Sequence, residues 1–226
     1  MSSTDLICES NLSNEVEEDV YEETEEQNVC KVFNLRDVKD DEFVHVSKTT
    51  IPIVPINQGQ GRKPCGIWIS DDSWIRWCSW EMPKWVNPQV YSAYAIKVKK
   101  FIRIGDLFPT QQLNENGTIV HLPPVYKKIE GEYPVLRIST REDLLRLHQY
   151  FSVKEGNVVG LTFYTIRWSS FESLGLGGVY IDFIYEEHGY NPKKPHSLWY
   201  NGWDVTSGCI WHPEAIESYR LLYQPN

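Results

Sequence analysis

Ile67, Trp68 and Ile69 form an apolar run that ends on Ser70, Asp71 and Asp72, and beyond it Trp74, Trp77 and Trp80 recur every three residues. The β-branched and aromatic run suits a strand. The three polar residues offer side-chain oxygens to the free N–H groups of a helix start, so one of them is the expected N-cap. The tryptophan spacing predicts a wall of indoles along one side of that helix. Such a wall fits core packing, the favoured reading for this stretch alone, and would equally serve as a flat surface for a planar ligand.

Elsewhere the pattern is mostly of period two. Glu42 to Lys48 alternates, which puts Val44 and Val46 on one face of a strand and presents His45 on the other. Pro52, Pro55, Gly59 and Gly61 mark a loop. Tyr91 to Ile104 reads as one long strand ended by Gly105 and Pro109, and Asn116-Gly117 reads as a hairpin turn. A short strand is expected at Tyr133–Ile138. A helix follows from Ser139 or Thr140 to Phe151, with Glu142 or Asp143 reaching back to the cap and Leu144, Leu147, Tyr150 and Phe151 as its apolar face. Residues 158–168 read as strand or mixed structure, and Val179 to Tyr185 alternates cleanly. Strands outnumber helices without a regular βαβ rhythm, which predicts an α+β domain with antiparallel sheets. Gly175-Leu-Gly-Gly lacks the strand-before, helix-after context of a phosphate-binding loop.

Charge divides the chain. Residues 1–28 carry ten acidic and no basic side chains, leaving 21 acidic and 22 basic in the rest of the 226 residues. An acidic run with few large apolar residues has too little to bury, so residues 1–30 are expected to be a disordered tail and 31–226 a single domain. The tail suits a solvating role or a docking role towards a basic partner. The near-neutral body lacks the basic stripe of a nucleic-acid binder. Five cysteines at irregular intervals make a poor disulfide framework and predict free thiols in a reducing compartment. No apolar run reaches the ~20 residues needed to span a bilayer, and the first residues lack the features of a signal peptide, so an intracellular location is expected.

Three segments, in their order and spacing, resemble the ADP-ribosyltransferase superfamily in its divergent His-Tyr-Glu branch. They are Val44-His45-Val46-Ser47, Gly66-Ile67-Trp68-Ile69-Ser70, and Ser207-Gly-Cys-Ile-Trp-His-Pro-Glu with the Ile-bearing terminal strand after it. The resemblance covers residues 42–226. It implies two packed, mainly antiparallel sheets with a few short helices, and NAD as substrate. His45 would hydrogen-bond the adenosine ribose, the Val46 backbone would clamp the nicotinamide carboxamide, and Trp68 and Trp77 would sandwich the ring. Ser70 or Ser73 would bond the carboxamide. Ser207 stands where the family has its catalytic Glu. Cleaving the nicotinamide–ribose bond builds positive charge that a carboxylate stabilises, and removing one such contributor typically costs about a hundredfold or more in rate. Transfer of ADP-ribose to a protein or nucleic-acid acceptor would therefore need a substitute, with Asp204 first and Asp182 second. The alternative is an inert transferase-like fold that binds a ligand or a protein.

Other chemistries are weaker. Cys209 and His212, with Cys65 and Cys78, are ligand types for zinc, but structural sites show paired short spacings and only one pair exists here, so no metal is expected. No His-Glu-x-x-His motif or Ser-His-Asp arrangement argues for a hydrolase. Nine tryptophans would also suit a module that stacks sugars, bases or peptides.

Overall fold

The structure is a computed structural model that describes residues 25–52, 54–107, 128–158, 161–189, 191, 193–194 and 196–226. The described elements are an α+β set. In chain order the strands are β1 (Glu42–Ser47), β2 (Gln60–Gly61), β3 (Ile67–Ser70), β4 (Ser92–Val98), β5 (Phe101–Arg103), β6 (Val135–Ile138), β7 (Ser152–Val158), β8 (Leu161–Arg167), β9 (Gly178–Ile181), β10 (Ser207–Ile210) and β11 (Ile216–Tyr223). The helices are α1 (Glu25–Val32), α2 (Ser73–Glu81), α3 (Arg141–Phe151), α4 (Trp168–Ser173) and α5 (Ser197–Tyr200).

Eight strands make one sheet in the order β11-β4-β1-β3-β10-β9-β6-β5, and β2-β8-β7 make a second, small sheet. Pairing in the large sheet is antiparallel except at β5–β6 and β6–β9, which are parallel. The two mainly antiparallel sheets expected are thus one large sheet and one small one. The expected strand from Tyr91 to Ile104 is also two strands, β4 and β5, broken at Lys99–Lys100. These halves occupy the second and eighth places of the sheet. In a flat sheet they would lie roughly 29 Å apart, whereas the link between them reaches at most roughly 11 Å. The sheet therefore curls until its two ends meet.

Inside the curl lie Ile67, Ile69, Tyr94, Ile96, Val135, Tyr180 and Ile210, all buried. Phe43 of β1 meets Phe101 of β5 with ring centroids 5.7 Å apart and Tyr180 of β9 at 4.8 Å, contacts that only closure permits. On the opposite side, α3 buries Leu144, Leu147 and Phe151 with the fully buried indoles Trp168, Trp199, Trp203 and Trp211. The α3 cap is Thr140, whose Oγ1 accepts from the Asp143 N–H at 3.1 Å. Glu187, 2% exposed, fixes the neighbouring loop through Arg141 at 2.8 Å, Lys194 at 3.0 Å and His196 at 2.8 Å.

Two sequence expectations shift here. The wall of indoles on α2 is not a wall: Ile75, Cys78 and Ser79 are the buried positions, and Trp80 is 72% exposed. A three-residue step falls about 60° short of a full turn, so residues six apart stand about 120° apart. The acidic segment was expected to be disordered through residue 30, but Glu25–Val32 forms α1. Val29 and Cys30 pack with buried Phe33, Ile75, Cys78 and Val86. The rest of that segment and the Asn116-Gly117 turn lie outside the described residues.

Phe33, fully buried and edge-on to Tyr223 at 5.4 Å, pins α1 to the end of β11. Phe33→Ala is expected to cost about 3 kcal/mol. In a chain of this size the melting temperature should fall by roughly 6–12 °C, and a fall within experimental error would show that α1 is not part of the cooperative unit.

Candidate functional site

Strands β1, β3 and β10 are neighbours, with Val44 opposite Ser70 and Ser70 opposite Ser207. Three segments far apart in sequence are thereby set in one row across the sheet. The β1–β3 ladder consists of that single register pair. Past it the two strands part, and the His45 imidazole bridges them, its Nδ1–H donating to the Trp68 carbonyl at 2.7 Å. A cavity of about 420 Å3 opens there, lined by His45, Val46, Trp68, Ser70 and Ser207, and also by Lys63, Trp74, Trp85 and Tyr91. Its volume lies within the range of small-ligand sites, about 300–1,000 Å3.

Local chemistry fixes each group. Because the carbonyl can only accept, the half-buried His45 is held with its proton on Nδ1, which leaves Nε2 as an acceptor for a ligand hydroxyl. Burial lowers the His45 pKa below its ordinary value, and the bond to Trp68 offsets only part of this. Trp68 alternates away from Ile67 and Ile69 and packs on buried Trp203, with centroids 5.2 Å apart. Gly66, which immediately precedes β3, has φ +154°, and a Cβ there would sit 2.3 Å from the Ile210 carbonyl oxygen, so no larger residue fits without moving β10. Ser70 is buried and bonds the Asp71 carbonyl, while Ser207 donates to the Val205 carbonyl at 3.1 Å.

Not every residue singled out in the sequence joins the cavity. Ser73 lies within 3.4 Å of the Thr206 carbonyl, and Trp77 packs with the α1–α2 cluster; neither lines the opening. The other indoles lining the cavity with Trp68 are instead Trp74, one residue after Ser73, and Trp85, 51% exposed. Asp182 is occupied by Arg137 through two 3.1 Å contacts. Asp204 is exposed, 3.9 Å from His188, and likewise not among the lining residues.

The electrostatics are one-sided. The lining holds no carboxylate, although the chain carries a net charge of −9. Lys63 contributes a cation, its Nζ 5.1 Å over the Trp68 ring and 6.0 Å over Trp203. Crowding by these surroundings lowers its pKa, with Asp204 acting in the opposite direction. Lys48, not itself a lining residue, sits 5.0 Å over the ring of Tyr91, which is one. Sequence reading missed Lys63, Trp85 and Tyr91. The one usable signal was Lys63-Pro-Cys-Gly66, where a proline and a strained glycine hold the lysine against the strand that follows. No group of three or more metal-ligating side chains occurs among the described residues, where Cys65, Cys78 and Cys209 are free thiols.

None of the family models, curated proteins or solved structures with which the chain was compared matches it.

Burial also lowers the pKa of His148, to about 4, with nearby His196 adding to the effect. For His45 and His148 the native state binds fewer protons than the unfolded chain below pH 6.5, so their contribution to stability is complete above 6.5 and declines as pH falls towards about 4. Urea midpoints measured across that window should drop for wild type and drop less for His148→Gln. Parallel curves for the two proteins would contradict this assignment.

Proposed function

We propose that the chain is a transferase-like domain of the ADP-ribosyltransferase type that binds NAD or a related nucleotide and does not cleave it. The observation that carries this reading is the convergence of His45, Val46, Trp68, Ser70 and Ser207 on one cavity whose lining lacks a carboxylate. The three segments that resemble the family are also those that supply β1, β3 and β10, adjacent in the sheet. The His45 Nε2 acceptor suits a ribose hydroxyl, and the indoles of Trp68, Trp74 and Trp85 suit a planar ring.

Silence of the chemistry follows from charge. Nicotinamide loss places positive charge on the ribose, and a fixed carboxylate stabilises that charge far better than a hydroxyl can. Here the position holds Ser207, its hydroxyl engaged with a backbone carbonyl, and the nearest lining charge is the cation Lys63. Asp204 would have to turn inward to substitute.

Nicotinamide release and calorimetric NAD binding, measured on wild type, Ser207→Glu and Asp204→Asn, test the reading together. Wild type should bind without release, Ser207→Glu should gain slow release, and Asp204→Asn should behave as wild type. Turnover by wild type that Asp204→Asn abolishes with affinity retained would make the chain an active transferase, because loss of a transition-state interaction alters rate rather than uniform binding. Absence of nucleotide binding in all three would leave a protein-interaction domain.

A further inference from the structure

We propose that the cavity selects nucleotides whose inserted end is neutral or anionic and discriminates against a cationic pyridinium ring, so that reduced dinucleotide and ADP-ribose bind more tightly than oxidised NAD. This rests on the nucleotide-binding reading above and adds the ligand's charge state. Trp68 is the indole on which a planar ring would stack, and the Lys63 ammonium already lies over it at 5.1 Å. Lys63 makes no ion pair of 4.0 Å or less among the described residues. The groups around it do not cancel the charge: the lining lacks carboxylates, His45 is kept neutral by burial, and burial pushes the Cys78 thiol up to about 12. Asp204 acts on Lys63 from outside the lining and is shared with His188. Lys48, outside the lining, adds a second cation over the lining residue Tyr91.

An indole face attracts one cation and leaves a second to be repelled by the first. Oxidised and reduced nicotinamide rings are nearly equal in size and carry the same pyrophosphate and adenosine, so they differ here chiefly by one positive charge. Stacked on Trp68, the oxidised ring would bring that charge against the exposed Lys63 ammonium. The reduced ring would not, and ADP-ribose would present a ribose hydroxyl instead.

Calorimetric titration with NAD, NADH and ADP-ribose decides the matter on wild type, Lys63→Met and Lys63→Arg, each first shown by thermal melting to be folded. Wild type and Lys63→Arg should bind NADH and ADP-ribose at least about fivefold more tightly than NAD. In Lys63→Met that gap should close to about twofold or less. Equal or tighter binding of NAD by wild type, or a gap that survives Lys63→Met, would overturn the inference while leaving nucleotide binding intact. Failure of all three ligands to bind wild type would instead sink the nucleotide reading, and this inference with it.

Discussion

A two-residue link, Lys99–Lys100, holds together strands that stand at the second and eighth places of the large sheet. Every other large feature follows from that constraint. The sheet must curl, so the inner faces of β1, β5 and β9 meet through Phe43, Phe101 and Tyr180 and form a dry core. The outer face is then convex and needs covering, which α3 and the indoles around it supply. One ladder of the curled sheet is not continuous. Between β1 and β3 the register reduces to one pair, and His45 spans the break with a side-chain hydrogen bond. The cavity is the space left where two strands of a bent sheet separate.

Within that space, polar groups are already engaged and apolar ones are exposed. Ser70 and Ser207 give their hydroxyl protons to backbone carbonyls, and the His45 proton is committed to Trp68. What remains for a ligand is acceptor oxygens, one imidazole nitrogen, indole faces and an ammonium group. That inventory favours holding a hydroxylated aromatic ligand over performing acid–base work on it, because no lining group carries a carboxylate and His45 is held in one tautomer.

Some of this was legible in the sequence. Helix α3 could be placed because cap, capping partner and apolar face agreed, and Thr140 with Asp143 does close its start. β1 and β3 could be placed because alternation and β-branching coincide there. The Lys99–Lys100 break left a trace that was passed over: Lys97-Val98-Lys99 alternates, and the second consecutive lysine, Lys100, interrupts that rhythm where the sheet turns. The long ladder between β7 and β8 was only half visible, because β7, Ser-Val-Lys-Glu-Gly-Asn-Val, is polar and takes its shape from pairing. Trp77 was chosen over Trp74 by analogy of position, whereas both indoles pack on the cluster around Phe33 and Cys78 and Trp74 alone of the two also lines the opening. Lys63 escaped notice because a lone lysine before a proline looks like any loop residue until the chain folds it over an indole.

The order in which the sheet is filled bears on how the protein is made. β3 lies between β1 and β10, and β4 between β1 and β11, yet β10 and β11 come from residues 207–223. Until the ribosome has released those residues, the apolar strands Ile67–Ser70 and Ser92–Val98 each keep one open edge, in a topology dominated by pairings distant along the chain. Such chains fold slowly and expose edges that other chains can pair with. The site therefore cannot exist on a chain that stops short of residues 207–223, and such an incomplete copy would be a candidate for chaperones rather than a weaker binder.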